Sequence, residues 1–130
     1  MGNFIMEKKT ITYGMVGGSN QAFIGDIHRK AIALDGRAKL VAGCFSANPD
    51  RNRETGETNH ISPDRLYSDY QAMAKAESTR LDKIDFVSIT TPNHTHYAIA
   101  KEFLLAGINV VCEKPLCFTV EQAEDLKKIS

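Results

Sequence analysis

The sequence lacks several features that would assign it to common functional classes. Its 130 residues carry 16 basic and 16 acidic side chains, so the formal net charge is zero. A chain without net charge has no overall field that draws it to nucleic acid or to an acidic membrane, and we predict neither partner. No apolar run approaches the roughly 20 residues of a membrane span. The first ten residues lack the apolar core of a secretion signal, and the absence of a Gly-Lys-Ser/Thr triplet excludes a P-loop.

Cysteine is scarce and odd in number: Cys44, Cys112 and Cys117. An odd count near predicted strands favours free thiols in a reducing compartment, and we therefore predict a cytoplasmic protein. His94 and His96 form a His-x-His pair, but their spacing from the cysteines fits no common zinc pattern. We predict no metal site.

A glycine-rich turn is the central feature of the chain. Residues 10–16 form a short segment that is mostly apolar and β-branched, as expected of a buried strand. Gly17-Gly18-Ser19 follows and ends the segment. Helical spacing of apolar residues begins near Gly25. A strand, a glycine turn and a helix in this order are typical of a dinucleotide-binding βαβ unit, in which helix N–H groups bind a pyrophosphate. The spacing departs from the ideal G-x-G-x-x-G. The alternative interpretation is that these glycines only form a turn and bind no cofactor. The predicted cofactor contacts in this segment are Gly17, Gly18, Ser19, Phe23 and Ile24.

Strands alternate with helices along the rest of the chain. Strands are predicted over 39–45, 66–67, 84–90 and 108–112, with helices between them that end near Gly36 and Gly107. Asn48 or Ser46, Asp69 and Thr119 are predicted helix caps. This order predicts an α/β fold: a Rossmann-type doubly wound parallel sheet in three layers, α/β/α, with strand order 3-2-1-4-5. We expect a flexible leader over 1–8 and one domain over 9–130.

Three unusual segments should meet at the carboxyl edge of this sheet. They are 17–25, 91–96 and 113–115, and each follows a predicted strand. Ligands of doubly wound sheets bind where the strand order reverses, between the first and fourth strands. The segments therefore predict one cofactor crevice.

The end of the second strand bears on the choice of cofactor. NAD-specific sites commonly place a carboxylate there to bind the ribose hydroxyls. This sequence has Ser46, and Arg51 or Arg53 follows. A serine and an arginine could bind a 2′-phosphate, which favours tolerance of NADP beside NAD. Exposed arginines on a solvated helix are the alternative.

The motifs together resemble one family. Tyr13-Gly14-Met15-Val16-Gly17-Gly18, Ala22-Phe23-Ile24-Gly25 with His28, Thr91-Pro92-Asn93 with His96, and Glu113-Lys114-Pro115 look like the glucose–fructose oxidoreductase / inositol dehydrogenase (Gfo/Idh/MocA) family. The resemblance covers about residues 10–130. It implies the N-terminal NAD(P)-binding domain of an oxidoreductase that moves a hydride between nicotinamide and a secondary alcohol or ketone of a sugar, inositol or related polyol. A second, substrate-binding domain with a catalytic His would follow, and we expect it to be absent from this chain.

Lys114 is the predicted catalytic residue. A lysine at a strand end beside the crevice can hold or polarise a substrate hydroxyl, and desolvation would lower its pKa toward a useful range. The resemblance matches it to the family's EKP lysine. A surface lysine in a proline turn is the alternative. The remaining predicted cofactor contacts are Thr91, Pro92, Asn93, His96, Glu113 and Pro115; Asn93 is equally suited to capping a helix, and His28 is expected to be a partly buried helix histidine.

Other functions remain open from the sequence alone. A non-catalytic nucleotide-binding sensor or scaffold would carry the same fold, and a flavin or adenosyl ligand is a weaker alternative. The strand over 108–112 would form an open sheet edge in this chain. Open edges pair readily, so we also predict a homo-oligomer.

Overall fold

The computed structural model describes residues 10–20, 23–33, 36–112 and 119–130, and of residues 23 and 24 the backbone only. Four parallel strands form one sheet in the order β2-β1-β3-β4: β1 (Ile11–Val16), β2 (Ala38–Cys44), β3 (Phe86–Ile89) and β4 (Asn109–Cys112). Five α-helices connect or follow them: α1 (Phe23–Ala33), α2 (Pro49–Thr58), α3 (Tyr70–Ser78), α4 (His96–Leu105) and α5 (Val120–Ile129). The predicted α/β class and parallel sheet are confirmed.

Strand β1 lies inside the sheet and separates two apolar cores. Its side chains alternate, so that Tyr13 and Met15 join one buried cluster while Val16 joins the other. Tyr13 stacks on Phe86 of β3 with ring centroids 5.1 Å apart. Because both faces are buried, the strand is apolar along almost its whole length, as parallel sheets require.

Helices cover both faces of the sheet. The larger cluster contains buried side chains of α3, α4 and α5, among them Met73, Phe103 and Leu126. The smaller cluster includes Ile32 of α1 and Ile61, which follows α2. The two clusters give the predicted three layers.

Several predicted helix starts are confirmed by their caps. The Asn48 side chain accepts hydrogen bonds from the backbone N–H groups of residues 50 and 51, at 3.0 and 3.1 Å. Asp69 accepts from Ala72 N at 2.7 Å, and Thr119 from Gln122 N at 3.0 Å. Each cap satisfies a donor that the first helical turn cannot.

Two predicted elements are wrong in detail. Leu66 and Tyr67 form no strand; Leu66 makes a single parallel bridge to Gly43 of β2 and so occupies the place of the predicted third strand. The helix predicted from His94 begins at His96, after a 3-10 turn over Asn93–Thr95, and Asn93 does not cap it. A hydrogen bond from Thr95 N to the Pro92 carbonyl, at 3.0 Å, closes that tight turn.

Within the described ranges, no helix has the length and apolar character needed to cross a lipid bilayer. Cys44 is a free thiol, as predicted, whereas Cys117 lies outside the described residues.

Candidate functional site

A cleft of about 780 Å³ opens at the carboxyl ends of β1, β2 and β3. Its walls come from four segments of the chain, which are far apart in sequence. The lining residues are Val16, Gly17, Gly18, Ser19, Cys44, Phe45, Ser46, Ala47, Arg51, Ser68, Asp69, Tyr70, Gln71, Thr90, Thr91, Pro92, His94, Thr95, Ala98 and Ile99. The cleft lies where the crossovers of the sheet turn in opposite directions, which is where doubly wound folds bind their ligands.

The glycine turn forms the wall after β1. Gly17 and Gly18 have φ angles of 85° and 75°, in the left-handed region that glycine adopts without strain. A Cβ on Gly17 would lie 3.0 Å from Thr91 N, and one on Gly18 only 2.5 Å from Met15 Sδ. The backbone can therefore turn this closely only with glycine at both positions. Among described residues, none accepts a hydrogen bond from the backbone N–H of Gly18 or Ser19, so both donors remain available to an anion.

Helix α1 packs directly against this turn. A Cβ on Gly25 would lie 2.2 Å from Gly18 Cα, so Gly25 allows the helix to approach. Arg29, one helical turn further on, donates from Nη1 to the Gly18 carbonyl. Its guanidinium places a positive charge beneath a turn whose free N–H groups already favour a phosphate. No sequence motif singled out Arg29 as a site residue.

The end of β2 forms a second wall, which contains Ser46 and Arg51. The Ser46 hydroxyl accepts a hydrogen bond from Asn48 N at 3.1 Å. Arg53 is paired with Asp50 at 3.1 Å. The Arg51 guanidinium, by contrast, makes no hydrogen bond or ion pair to the described part of the chain. Of these two arginines, only Arg51 lines the cleft.

The turn after β3 forms the third wall, with Thr91 and Pro92 at its surface. His96 lies beneath it, with no exposed surface, and its Nε2 donates to the Thr91 carbonyl at 2.7 Å. The Thr95 hydroxyl lies 2.6 Å from both the Thr91 hydroxyl and the Pro92 carbonyl. The expectation that His96 itself forms the surface of this wall is therefore corrected, because its ring is buried and braces the turn from below.

Asn93, another predicted contact, does not line the cleft; His94 does, and its neighbour Ala98 as well. The 3-10 turn rotates this segment away from the arrangement that a helix starting at His94 would give. His28, on α1, lies with Nδ1 2.9 Å from the Ser88 hydroxyl of β3, a contact within the fold.

The segment that leads into α3, together with the first two residues of that helix, forms a fourth wall that no sequence motif indicated. Ser68, Asp69, Tyr70 and Gln71 line the cleft there, and the Asp69 carboxylate caps α3 at the same time. Burial raises the pKa of the neighbouring Cys44 thiol to about 11, and the Asp69 charge adds to the effect. Cys44 therefore stays protonated at neutral pH and acts as an apolar wall residue.

The remaining predicted site residues, Glu113, Lys114 and Pro115, lie outside the described residues, as do the side chains of Phe23 and Ile24. In the ranges that are described, no group of three or more His, Cys, Asp or Glu side chains is arranged to hold a metal ion.

The geometry defines a class. A Rossmann dinucleotide site has a glycine turn with unpaired N–H groups, a helix packed closely on that turn, and a cleft at the carboxyl ends of the strands. This chain has all three: Gly17 and Gly18 form the turn, and Gly25 allows the helix to approach it. Comparison with known families gives the more specific assignment. The model of the oxidoreductase family with an NAD-binding Rossmann fold, Gfo/Idh/MocA, matches residues 11–130, and the chain belongs to this family.

Individual relatives agree with this assignment. An uncharacterised oxidoreductase, YfiI of Bacillus subtilis, is 39% identical over 123 residues, which is 94% of this chain and 31% of the relative. The crystal structure of an oxidoreductase from Pseudomonas syringae superposes with a TM-score of 0.90 at 50% identity, covering 95% of this chain and 34% of that one. An inositol dehydrogenase homologue from Azotobacter vinelandii, complexed with NAD+, has a TM-score of 0.88 at 48% identity over 93% of this chain and 31% of its own. The chain thus spans about a third of the length of these relatives.

Proposed function

We propose that this chain binds NAD(H) in the cleft and serves as the cofactor-binding domain, residues 9–130, of an NAD(P)-dependent oxidoreductase. The observation that carries the proposal is the convergence of the glycine turn, the Ser46 rim and the Thr91–Pro92 turn on one cleft. Bound NAD would supply the hydride chemistry, and the residues of this chain would hold and orient it. The 48%-identical homologue from Azotobacter vinelandii that is complexed with NADH and myo-inositol supports the same function.

Titration with NADH, followed by nicotinamide fluorescence, tests the proposal. We expect saturable binding below millimolar NADH, and competition by ADP-ribose. Gly18→Ala should weaken binding, because its Cβ would displace Met15 or the turn itself. Gly107→Ala is the matched control: Gly107 also has a positive φ, of 79°, but nothing lies within 4 Å of its Cβ position. No binding at millimolar NADH by the folded wild-type chain would refute the proposal.

The free guanidinium of Arg51 supports a further part of the proposal, that the site accepts NADP as well as NAD. Arg51 and the Ser46 hydroxyl line the rim where an adenosine 2′-phosphate would lie, and charge-assisted hydrogen bonds are the strong ones. Arg51→Ala should lower NADPH affinity about tenfold and leave NADH affinity within twofold. Arg53→Ala is the control, because Arg53 is already paired with Asp50. Equal losses for both cofactors would contradict this role.

For the whole protein we propose hydride transfer between nicotinamide and a secondary alcohol or ketone of a sugar, inositol or related polyol, with Lys114 as the catalytic residue. The family assignment and the EKP motif support this. In a full-length protein carrying this domain, Lys114→Ala should cut turnover sharply while NADH affinity stays within a few-fold. Lys83→Ala, an exposed lysine before β3, is the control. Lost affinity with unchanged turnover per bound cofactor would contradict the assignment.

We also propose that the chain self-associates through the outer edge of β4. No described residue pairs with that edge, and Val111 is 48% exposed there. An apolar groove of about 540 Å³, which includes Leu104, Val110 and Leu126, adjoins it. Sedimentation analysis should show a dimer whose dissociation constant rises when Val111 is replaced by Lys. A strictly monomeric chain at high concentration would refute this.

A further inference from the structure

Helix α2 buries a polar face where helices of this kind normally bury an apolar one. Its sequence, PDRNRETGET, contains no large apolar side chain, yet Asn52 and Thr55 are only 6% and 1% exposed. A helix that is polar all round gains little from the hydrophobic effect, so other contacts must hold it in place. Those contacts are hydrogen bonds between side chains of α2 and the backbone of segments that form or adjoin the walls of the cleft.

Asn52 joins two of these walls. Its Oδ1 accepts a hydrogen bond from Phe45 N at 2.8 Å, and its Nδ2 donates to the Tyr67 carbonyl at 2.8 Å. Phe45 precedes the Ser46 rim, and Tyr67 precedes the segment 68–71 of the fourth wall. One buried amide therefore fixes the spacing of both segments, and both of its polar ends are satisfied.

Thr55 joins α2 to the glycine turn. Its hydroxyl accepts a hydrogen bond from Asn20 N at 2.9 Å, and the nearby Thr58 hydroxyl accepts from Asn20 Nδ2 at 3.0 Å. Asn20 directly follows Ser19, whose backbone N–H lines the cleft unpaired. The hydroxyl of Thr55 thus holds the far side of the turn that would receive the pyrophosphate.

We propose that Asn52 and Thr55 are positioning residues for the dinucleotide: through hydrogen bonds to the backbone of three cleft segments, α2 sets the width of the site before the cofactor enters. The inference rests on the proposed function. Neither side chain lines the cleft, so both act through the segments they hold. Loops held in the bound geometry lose less entropy on binding, which raises affinity without a new contact.

The test uses variants that remove one hydrogen bond and preserve shape. Thr55→Val should raise the Kd for NADH about fivefold, since a single hydrogen bond is worth roughly 0.5–1.5 kcal/mol and 1.4 kcal/mol is a factor of ten. Thr55→Ser should restore the wild-type Kd. Thr79→Val is the matched control, because the Thr79 hydroxyl bonds the Ala76 carbonyl at the opposite end of α3. Its Kd should not change.

The affinities for two fragments of the cofactor, ADP-ribose and adenosine, distinguish a positioning role from a general loss of structure. Thr55→Val should weaken ADP-ribose binding but not adenosine binding, because it releases only the pyrophosphate side of the cleft. Asn52→Asp keeps the acceptor for Phe45 N but sets a carboxylate oxygen against the Tyr67 carbonyl, which releases the segment after Tyr67, so this variant should weaken adenosine binding as well. A general loss of structure in Thr55→Val would weaken adenosine and ADP-ribose binding by the same factor, and this result would contradict the positioning role of Thr55.

Amide hydrogen exchange reports the same contact without cofactor. The Asn20 amide should exchange several-fold faster in Thr55→Val and normally in Thr55→Ser. An unchanged NADH Kd in Thr55→Val would overturn the inference, whatever the exchange rate. Failure of the wild-type chain to bind NADH would instead refute the proposed function and the inference that depends on it.

Discussion

Replacing Gly25 with alanine should destabilise the protein, although the same change stabilises most helices. Gly25 lies in the first turn of α1 and its φ is not in the left-handed region, so no backbone strain opposes a side chain there. Alanine in a helix interior is favoured over glycine by about 1 kcal/mol. Propensity alone therefore predicts a gain in the free energy of unfolding.

Packing reverses the sign of this expected change in the free energy of unfolding. The new Cβ would lie 2.2 Å from Gly18 Cα, 2.9 Å from Gly18 C and 3.0 Å from Gly18 O, whereas ordinary contacts begin at 3.4 Å. All three neighbours are backbone atoms, so the helix or the glycine turn must move by about 1 Å. Overpacking of this kind costs about 1–3 kcal/mol, which exceeds the gain in propensity. Because the displaced atoms belong to the cofactor turn, the affinity for NADH should fall as well.

Thermal unfolding and NADH titration measure the two effects. The matched control is Gly56→Ala, a helical glycine of α2 whose Cβ would meet only the flexible end of Leu66, at 3.0 Å. We expect Gly25→Ala to lower Tm by several degrees and to raise the Kd, at about 4 °C per kcal/mol for a chain of this size. Gly56→Ala should leave Tm unchanged or higher and the Kd unaltered. A Tm rise with unchanged Kd in Gly25→Ala would show that the close approach of α1 to the turn is absent.

Three further outcomes follow from buried charges and thiols. The folded-state pKa of Cys44, about 11, exceeds its ordinary value of 9.0, so this thiol's contribution to stability is complete below pH 9 and is lost as pH rises toward 11; denaturant unfolding of Cys44→Ala should lose less stability over that range than the wild type. Cys44 should also resist thiol reagents at pH 7.5 in the folded chain and react once it unfolds; fast labelling of the native state would contradict its burial. Arg65→Met should cost about 3–5 kcal/mol, because Glu77, with no exposed surface, would lose a partner that donates to it from Nη2 at 2.6 Å. The double variant Arg65→Met/Glu77→Leu should recover part of that loss, and equal stability of the single and double variants would contradict the pairing.

The strands and most helix starts could be predicted because local chemistry decides them. Asp69, Thr119 and Asn48 cap their helices through contacts two or three residues away, which the sequence displays directly. The absence of a strand at Leu66–Tyr67 could not be predicted, since the Tyr67 carbonyl pairs with the side chain of Asn52 and the Tyr67 hydroxyl with that of Glu77. Those partners are distant in sequence, and they replace the ladder that a strand would need.

The candidate site likewise has residues whose place follows from local sequence and residues whose role depends on contacts distant in sequence. The glycine turn, Ser46, Arg51, Thr91 and Pro92 reach the cleft as the motifs predict. His96 matched a motif as well, but burial decides its role, and burial depends on where a 3-10 turn places the helix. The polar spacing of Asn52 and Thr55 was visible in a helix with no apolar residues, yet only the folded chain reveals which backbone groups they meet. Roles that pass through a second residue are the hardest to read from a linear sequence.

The polar underside of α2 also has a consequence for protein engineering. An automated redesign for thermostability would see buried asparagine and threonine beneath a helix and replace them with leucine or valine. Such a variant would bury more apolar surface, and its calculated Tm would be higher. It would also release the three segments that surround the nucleotide, so that the most heat-resistant design in the set would be the poorest at retaining its ligand.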